Sequence, residues 1–69
     1  MTDGLDDLRD QYPPLLRVRQ TAKLLGVSER MVWTMVNDGR LPAYRLPGAR
    51  RWTLVRDEVI DVVRGSRVT

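Results

Sequence analysis

Two residues, Gly26 and Val27, are all that separate two stretches of helical periodicity, and this junction constrains the chain more than any other feature. On its N-terminal side Val18, Ala22 and Leu25 fall at i, i+4 and i+7, one face of a short amphipathic helix that Gly26, a favoured C-terminal breaker, brings to an end. On its C-terminal side Ser28 stands at the N-cap, Glu29 where the helix dipole favours an anion, and Gly39 follows Asp38 as the stop. So tight a connection forces the helices to cross instead of running alongside each other, which is the geometry of a helix-turn-helix unit. The first helix has a weak start, because its cap position holds Arg17 in place of Ser, Thr, Asp or Asn.

Beyond Gly39, Leu41-Pro42 opens an extended stretch. Residues 43–46 and 51–55 are expected to pair as a hairpin across a Pro47-Gly48 turn of type II, forming a wing. The segment from Asp57 to Arg64 is rich in β-branched residues and by propensity alone would read as a strand. Two acids in its first turn, a base at its end and the Val59, Ile60, Val63 stripe favour a helix that closes the core. Before the helix-turn-helix, Leu5, Leu8 and Tyr12 share a face, but the segment is short, acidic and stopped by Pro13-Pro14, so a frayed arm is expected. The resulting fold class is mainly α with a small β-hairpin: a winged helix-turn-helix domain over residues 15–64, an acidic arm over 1–14 and a tail over 65–69.

Sixty-nine residues allow one modest core and no second domain. With no Cys and no His, the chain lacks disulfides, the usual zinc ligands, thiol nucleophiles and the side chain best suited to proton transfer near neutral pH. The carboxylates of Asp57, Glu58 and Asp61 have no nucleophile or partner base nearby in the pattern and read as a solvated helix face. An enzyme and a cofactor or metal site are therefore not expected. No apolar run approaches the roughly 18 residues needed to span a bilayer, and Met1-Thr2-Asp3-Gly4 is acidic where a signal peptide is basic, so a soluble, cytoplasmic protein with no membrane partner is expected.

The formal net charge of +3 hides an asymmetry. Residues 1–11 hold four Asp against Arg9, a local net of −3, which leaves +6 on the rest. Of the twelve cations eleven are Arg, whose planar fork matches phosphates and guanine edges. On the second helix Val32, Met35 and Val36 share one face, whereas Arg30, Trp33, Thr34 and Asn37 occupy the other. A structural helix would carry Glu and Lys there; a guanidinium, an indole, a hydroxyl and an amide are groups that read bases and contact phosphates. Trp33 reads equally as a DNA contact or as core beneath the arm or wing, and Met31 equally as core edge or as a contact with a thymine methyl; Glu29 reads as a dipole residue and not a cytosine reader. The hairpin holds Arg45, Arg50 and Arg51 within seven residues, a basic finger suited to the minor groove. Trp52, alternating with Arg51, is expected in the core with Leu46 and Leu54.

The stretch from Leu16 to Val63 resembles the excisionase family of DNA-binding domains, whose winged fold is shared with the DNA-binding part of MerR-type regulators. The residues that carry the resemblance, in order, are Ala22 with Leu24-Leu25-Gly26-Val27-Ser28, Arg30 and Val32, Gly39-Arg40-Leu41-Pro42-Ala43, the turn from Gly48 to Arg51, and Asp57-Glu58-Val59. The resemblance implies that the second helix enters the major groove of double-stranded DNA and the wing the minor groove. Ser28, Arg30, Met31, Trp33, Thr34 and Asn37, with Arg19 and Gln20 of the first helix and Arg45, Arg50 and Arg51 of the wing, are the expected DNA contacts. The chain departs from such proteins at Arg17 and Gln20, where a Thr or Ser cap and an acidic residue are common, and at Thr53, where a third wing arginine is common. Either the first helix starts less firmly or Arg17 turns to phosphate, and attraction to DNA at Thr53 is weakened.

Nothing after Thr69 could form the long dimerising helix of a MerR-type regulator, so a reader without one is expected. One such module buries on the order of 600–1,000 Å² on DNA, which makes cooperative self-association along repeated sites the expected route to occupancy. A recombination directionality factor acting with an integrase, bending attachment-site DNA to excise a prophage or similar element, fits that description. A transcriptional regulator of the same fold and a protein-interaction module built on Trp33 and the acidic arm are the alternatives.

Overall fold

The computed structural model describes residues 4–68, in the order α1 (Gly4–Gln11), β1 (Leu15–Leu16), α2 (Val18–Leu25), α3 (Glu29–Asn37), β2 (Leu54–Val55) and α4 (Arg56–Gly65). The first three positions of the expected arm and Thr69 of the tail lie outside the described residues. At the α2–α3 junction Gly26 takes φ 71°, the left-handed conformation that a side chain disfavours, and Val27 N–H donates to the Ala22 carbonyl at 3.0 Å. Two residues later Ser28 Oγ accepts from Met31 N–H at 3.1 Å, the expected N-cap of α3. At the end of α3 both Arg40 and Leu41 N–H groups turn back to the Met35 carbonyl, at 2.8 and 3.2 Å, and this fold-back drops Leu41 into the interior.

The core joins every layer: Leu16 from β1, Ala22 and Leu24 from α2, Val32 from α3, Leu41, Leu54 from β2, and Val59 and Ile60 from α4 are all buried. Each large side chain among them contributes about 1.5–3 kcal/mol by leaving water. The face of α2 that is buried is centred on Thr21, Ala22 and Leu24, with Leu25 and Val18 partly covered. Thr21 is tolerated there because its hydroxyl donates to the Arg17 carbonyl at 3.0 Å. The last segment is helical as expected, with Val59 and Ile60 fully buried, so burial of the stripe overrides the β preference of its residues.

Three expectations need correction. The arm is not frayed from Gly4 onward: it forms α1, which lies against α4 with Leu8 and Tyr12 partly buried on the core. Arg56 makes this possible, since its Nη1 donates to the carbonyls of Arg9 and Tyr12 at 3.0 and 2.9 Å, where the end of α1 would otherwise leave acceptors unpaired. Ion pairs Arg9–Asp57 (3.2 Å) and Arg64–Asp6 (3.7 Å) add modest support.

The wing has less ladder than its sequence suggests. Tyr44 and Thr53 form one antiparallel bridge, with N–H···O distances of 2.8 and 2.7 Å, and the tip is closed by Ala49 N–H to the Leu46 carbonyl at 2.9 Å with Gly48 at φ 80°. That positive φ at the third turn position is the type II feature expected of Pro47-Gly48. Pro42 and Pro47 bracket the first wing segment without N–H donors, which limits the ladder. The two-residue strand β2 pairs instead with β1, Leu15 opposite Val55 and Leu16 opposite Leu54, and Arg56 N–H continues the pairing to the Pro14 carbonyl at 2.9 Å.

The third correction concerns Trp52 and Leu46. Leu46 is half exposed at the tip and Trp52 is partly exposed, whereas Thr53 and Leu54 are buried next to each other. Alternation of faces holds only along a continuous ladder, and the wing lacks one at that point.

Candidate nucleic-acid interface

On α3 the two faces separate as the sequence predicts. Val32 is fully buried and Met35 and Val36 partly so, while Arg30, Trp33, Thr34 and Asn37 are all exposed. Met31 is 48 % exposed, which places it on the outward flank and not in the core. Thr34 donates its hydroxyl proton to the Arg30 carbonyl at 3.1 Å, so it presents its methyl group and an acceptor lone pair outward. Ser28 is occupied by its capping bond at the N-terminus of the same helix.

Trp33 is 43 % exposed and meets Trp52, with ring centroids 4.1 Å apart and planes tilted by 44°. It is thus a wing-packing residue that keeps part of its surface open. The pair sits in a cleft of about 380 Å³ lined by Arg17, Val18 and Arg19 at the start of α2, Glu29 and Trp33 on α3, and Arg50, Arg51 and Trp52 on the wing. Arg17, Arg19, Arg50 and Arg51 are exposed, and among the described residues none of them takes part in an ion pair. The ion pairs lie on the other side, between α1 and α4, where Arg9, Arg56 and Arg64 meet Asp6 and Asp57. Four arginines against the single carboxylate of Glu29 line the cleft, which gives that side a positive field.

Arg45 is exposed on the wing outside the cleft lining. Gln20 has a task within the fold: its Oε1 accepts the Arg17 N–H at 3.0 Å and closes the start of α2 that Arg17 alone does not cap, so the firm start expected to be missing is supplied from within the helix. Thr53 lies in the interior, 7 % exposed, and is not a position from which a wing arginine could reach solvent in this fold.

Sequence reasoning missed the anchor on the other side of the wing. Tyr44 Oη donates to the Glu58 carboxylate, with Oε1 at 2.9 Å and Oε2 at 3.0 Å, and ties the root of the wing to α4. This bond, with lesser contributions from desolvation and the charge of Glu58, raises the phenol pKa above its ordinary 10.0. No spacing rule links positions 44 and 58, so nothing in the sequence pattern signals the pair. Trp52 was likewise not legible as a cleft residue.

No helix among the described residues is long and apolar enough to cross a membrane. The family model for a helix-turn-helix domain matches residues 15–67. No curated protein matches the chain.

Proposed function

Because the chain belongs to the helix-turn-helix domain family, a DNA-binding family, we propose that it is a sequence-specific architectural DNA-binding protein acting as an excisionase, a recombination directionality factor. The observation that carries the DNA reading is the α3 face on which Arg30, Thr34 and Asn37 stand exposed beside a wing whose arginines, among the described residues, have no carboxylate partner. In this reading α3 lies in the major groove, where Arg30 takes a guanine edge, Asn37 an adenine edge and the Thr34 and Met31 methyl groups a thymine. Arg45, Arg50 and Arg51 bring the wing to the minor groove, and Arg19 contacts phosphate. The DNA-reading unit spans 15–64, with 1–14 and 65–69 as appendages, and no catalytic role is assigned to any residue.

The excisionase role rests on the ordered motifs from Ala22 to Val59 and on the small footprint of one module, which calls for cooperative assembly on repeated sites. The protein would act in the bacterial cytoplasm with an integrase, bending attachment-site DNA so that excision is favoured. Gel-shift titration with circularly permuted probes spanning an attachment region, against a random duplex at equal salt, tests this. Successive cooperative complexes with bending support the excisionase reading; a single unbent complex at a promoter replaces it with a transcriptional regulator. Within the DNA interface, Arg30→Ala or Asn37→Ala should cost roughly 1–3 kcal/mol on the cognate site and much less on random DNA.

A further inference from the structure

In B-DNA a single sugar-phosphate backbone divides each major groove from the minor groove beside it. A module with one element in each groove therefore straddles that backbone, and the space between the two elements must accept it. Here that space is the cleft between α2, α3 and the wing, with Arg17 and Arg19 at the start of α2 and Arg50 and Arg51 on the wing. Four arginines line one cleft, among the described residues none of them is ion-paired, and their like charges, offset there only by Glu29, repel one another in the free protein. A row of phosphates relieves that repulsion. Trp33 and Trp52, with ring centroids 4.1 Å apart, join α3 to the wing within the same cleft and so hold the gap at a set width.

We infer that this cleft seats the phosphodiester backbone of one DNA strand, gripped by Arg17 and Arg19 on one element and Arg50 and Arg51 on another, with the Trp33–Trp52 contact as the positioning device that spaces α3 from the wing. The inference rests on the DNA-binding reading above and adds to it a defined seat for the backbone and a role for the tryptophan pair. Arg17 thereby joins the contact set, and Trp52 acquires a task beyond packing. Glu29, which also lines the cleft, disfavours phosphates at its own end and directs them towards the arginines.

The test uses the full chain and a short random-sequence duplex over a range of salt. Binding is read by anisotropy of the labelled duplex and, independently, by emission from Trp33 and Trp52, the two tryptophans of the chain. Emission should change in step with anisotropy. Arg17→Ala with Arg19→Ala, and separately Arg50→Ala with Arg51→Ala, should each lower the slope of log K against log salt by up to about 1.8, at about 0.9 per lost phosphate contact. All four side chains are on exposed residues, and unchanged thermal melting confirms that the variants remain folded. Anisotropy that reports binding while tryptophan emission stays constant, or a wild-type salt slope in the Arg17 and Arg19 variant, overturns the cleft seat and leaves DNA binding standing. A duplex that does not bind at all overturns both.

Discussion

Replacing Arg56 by Ala is expected to undock α1 from the rest of the domain. The side chain is 17 % exposed, and its Nη1 donates to two main-chain carbonyls at the end of α1, Arg9 at 3.0 Å and Tyr12 at 2.9 Å. Hydrogen bonds from a charged donor contribute about 1.5–3 kcal/mol each. The neighbouring contact with Asp57 at 3.1 Å adds little, because that carboxylate is 56 % exposed. The loss cannot exceed what α1 gains by docking, and α1 contains no fully buried residue. About 2–3 kcal/mol is therefore expected, a large part of the total for a domain this size at about 0.05–0.15 kcal/mol per residue. Urea denaturation followed by circular dichroism measures the loss, and amide exchange locates it, with protection lost in α1 and kept in α3. Arg56→Lys should fall between, since an ammonium group can serve the carbonyls without also reaching Asp57. DNA affinity should not change, because Arg56 is not on the cleft lining. A loss below about 0.5 kcal/mol with α1 amides still protected would refute the capping argument.

Other outcomes follow from the wing and the core. Tyr44 should titrate above 10.0 by ultraviolet absorbance, and Glu58→Gln should lower its pKa towards that value. Since the folded pKa is raised, the tether's contribution is fully present below about pH 10 and is lost as pH rises through the folded value; a Tyr44 that titrates at the ordinary value argues against the bond. Trp33→Ala should speed amide exchange at Tyr44 and Thr53, because a wing with one bridge depends on the Trp33–Trp52 contact, while Trp33→Phe should keep much of the protection. Thr53→Arg should destabilise the fold by roughly 1–3 kcal/mol without tightening DNA binding, as the position is interior; tighter binding with intact stability would contradict its placement. Leu41→Ala, at a side chain 2 % exposed, should cost about 2–5 kcal/mol in chemical denaturation.

The helix-turn-helix could be read from the chain because its signals are local: a left-handed glycine, a capping serine and two apolar stripes act within a few residues of themselves. The two faces of α3 were legible for the same reason, since helical geometry alone puts Val32 opposite Arg30 and Thr34. Features that join distant positions were not legible. The α1 helix is tied down by Arg56, which reaches back to Arg9 and Tyr12, and no pattern within residues 4–11 contains that information. Pairing of Leu54-Val55 with Leu15-Leu16, the tether of Tyr44 to Glu58 and the contact of Trp52 with Trp33 are of the same kind. Local periodicity specifies which face of an element is apolar. Which partner covers that face, and which way a short wing without a continuous ladder turns its side chains, is decided only when the elements meet.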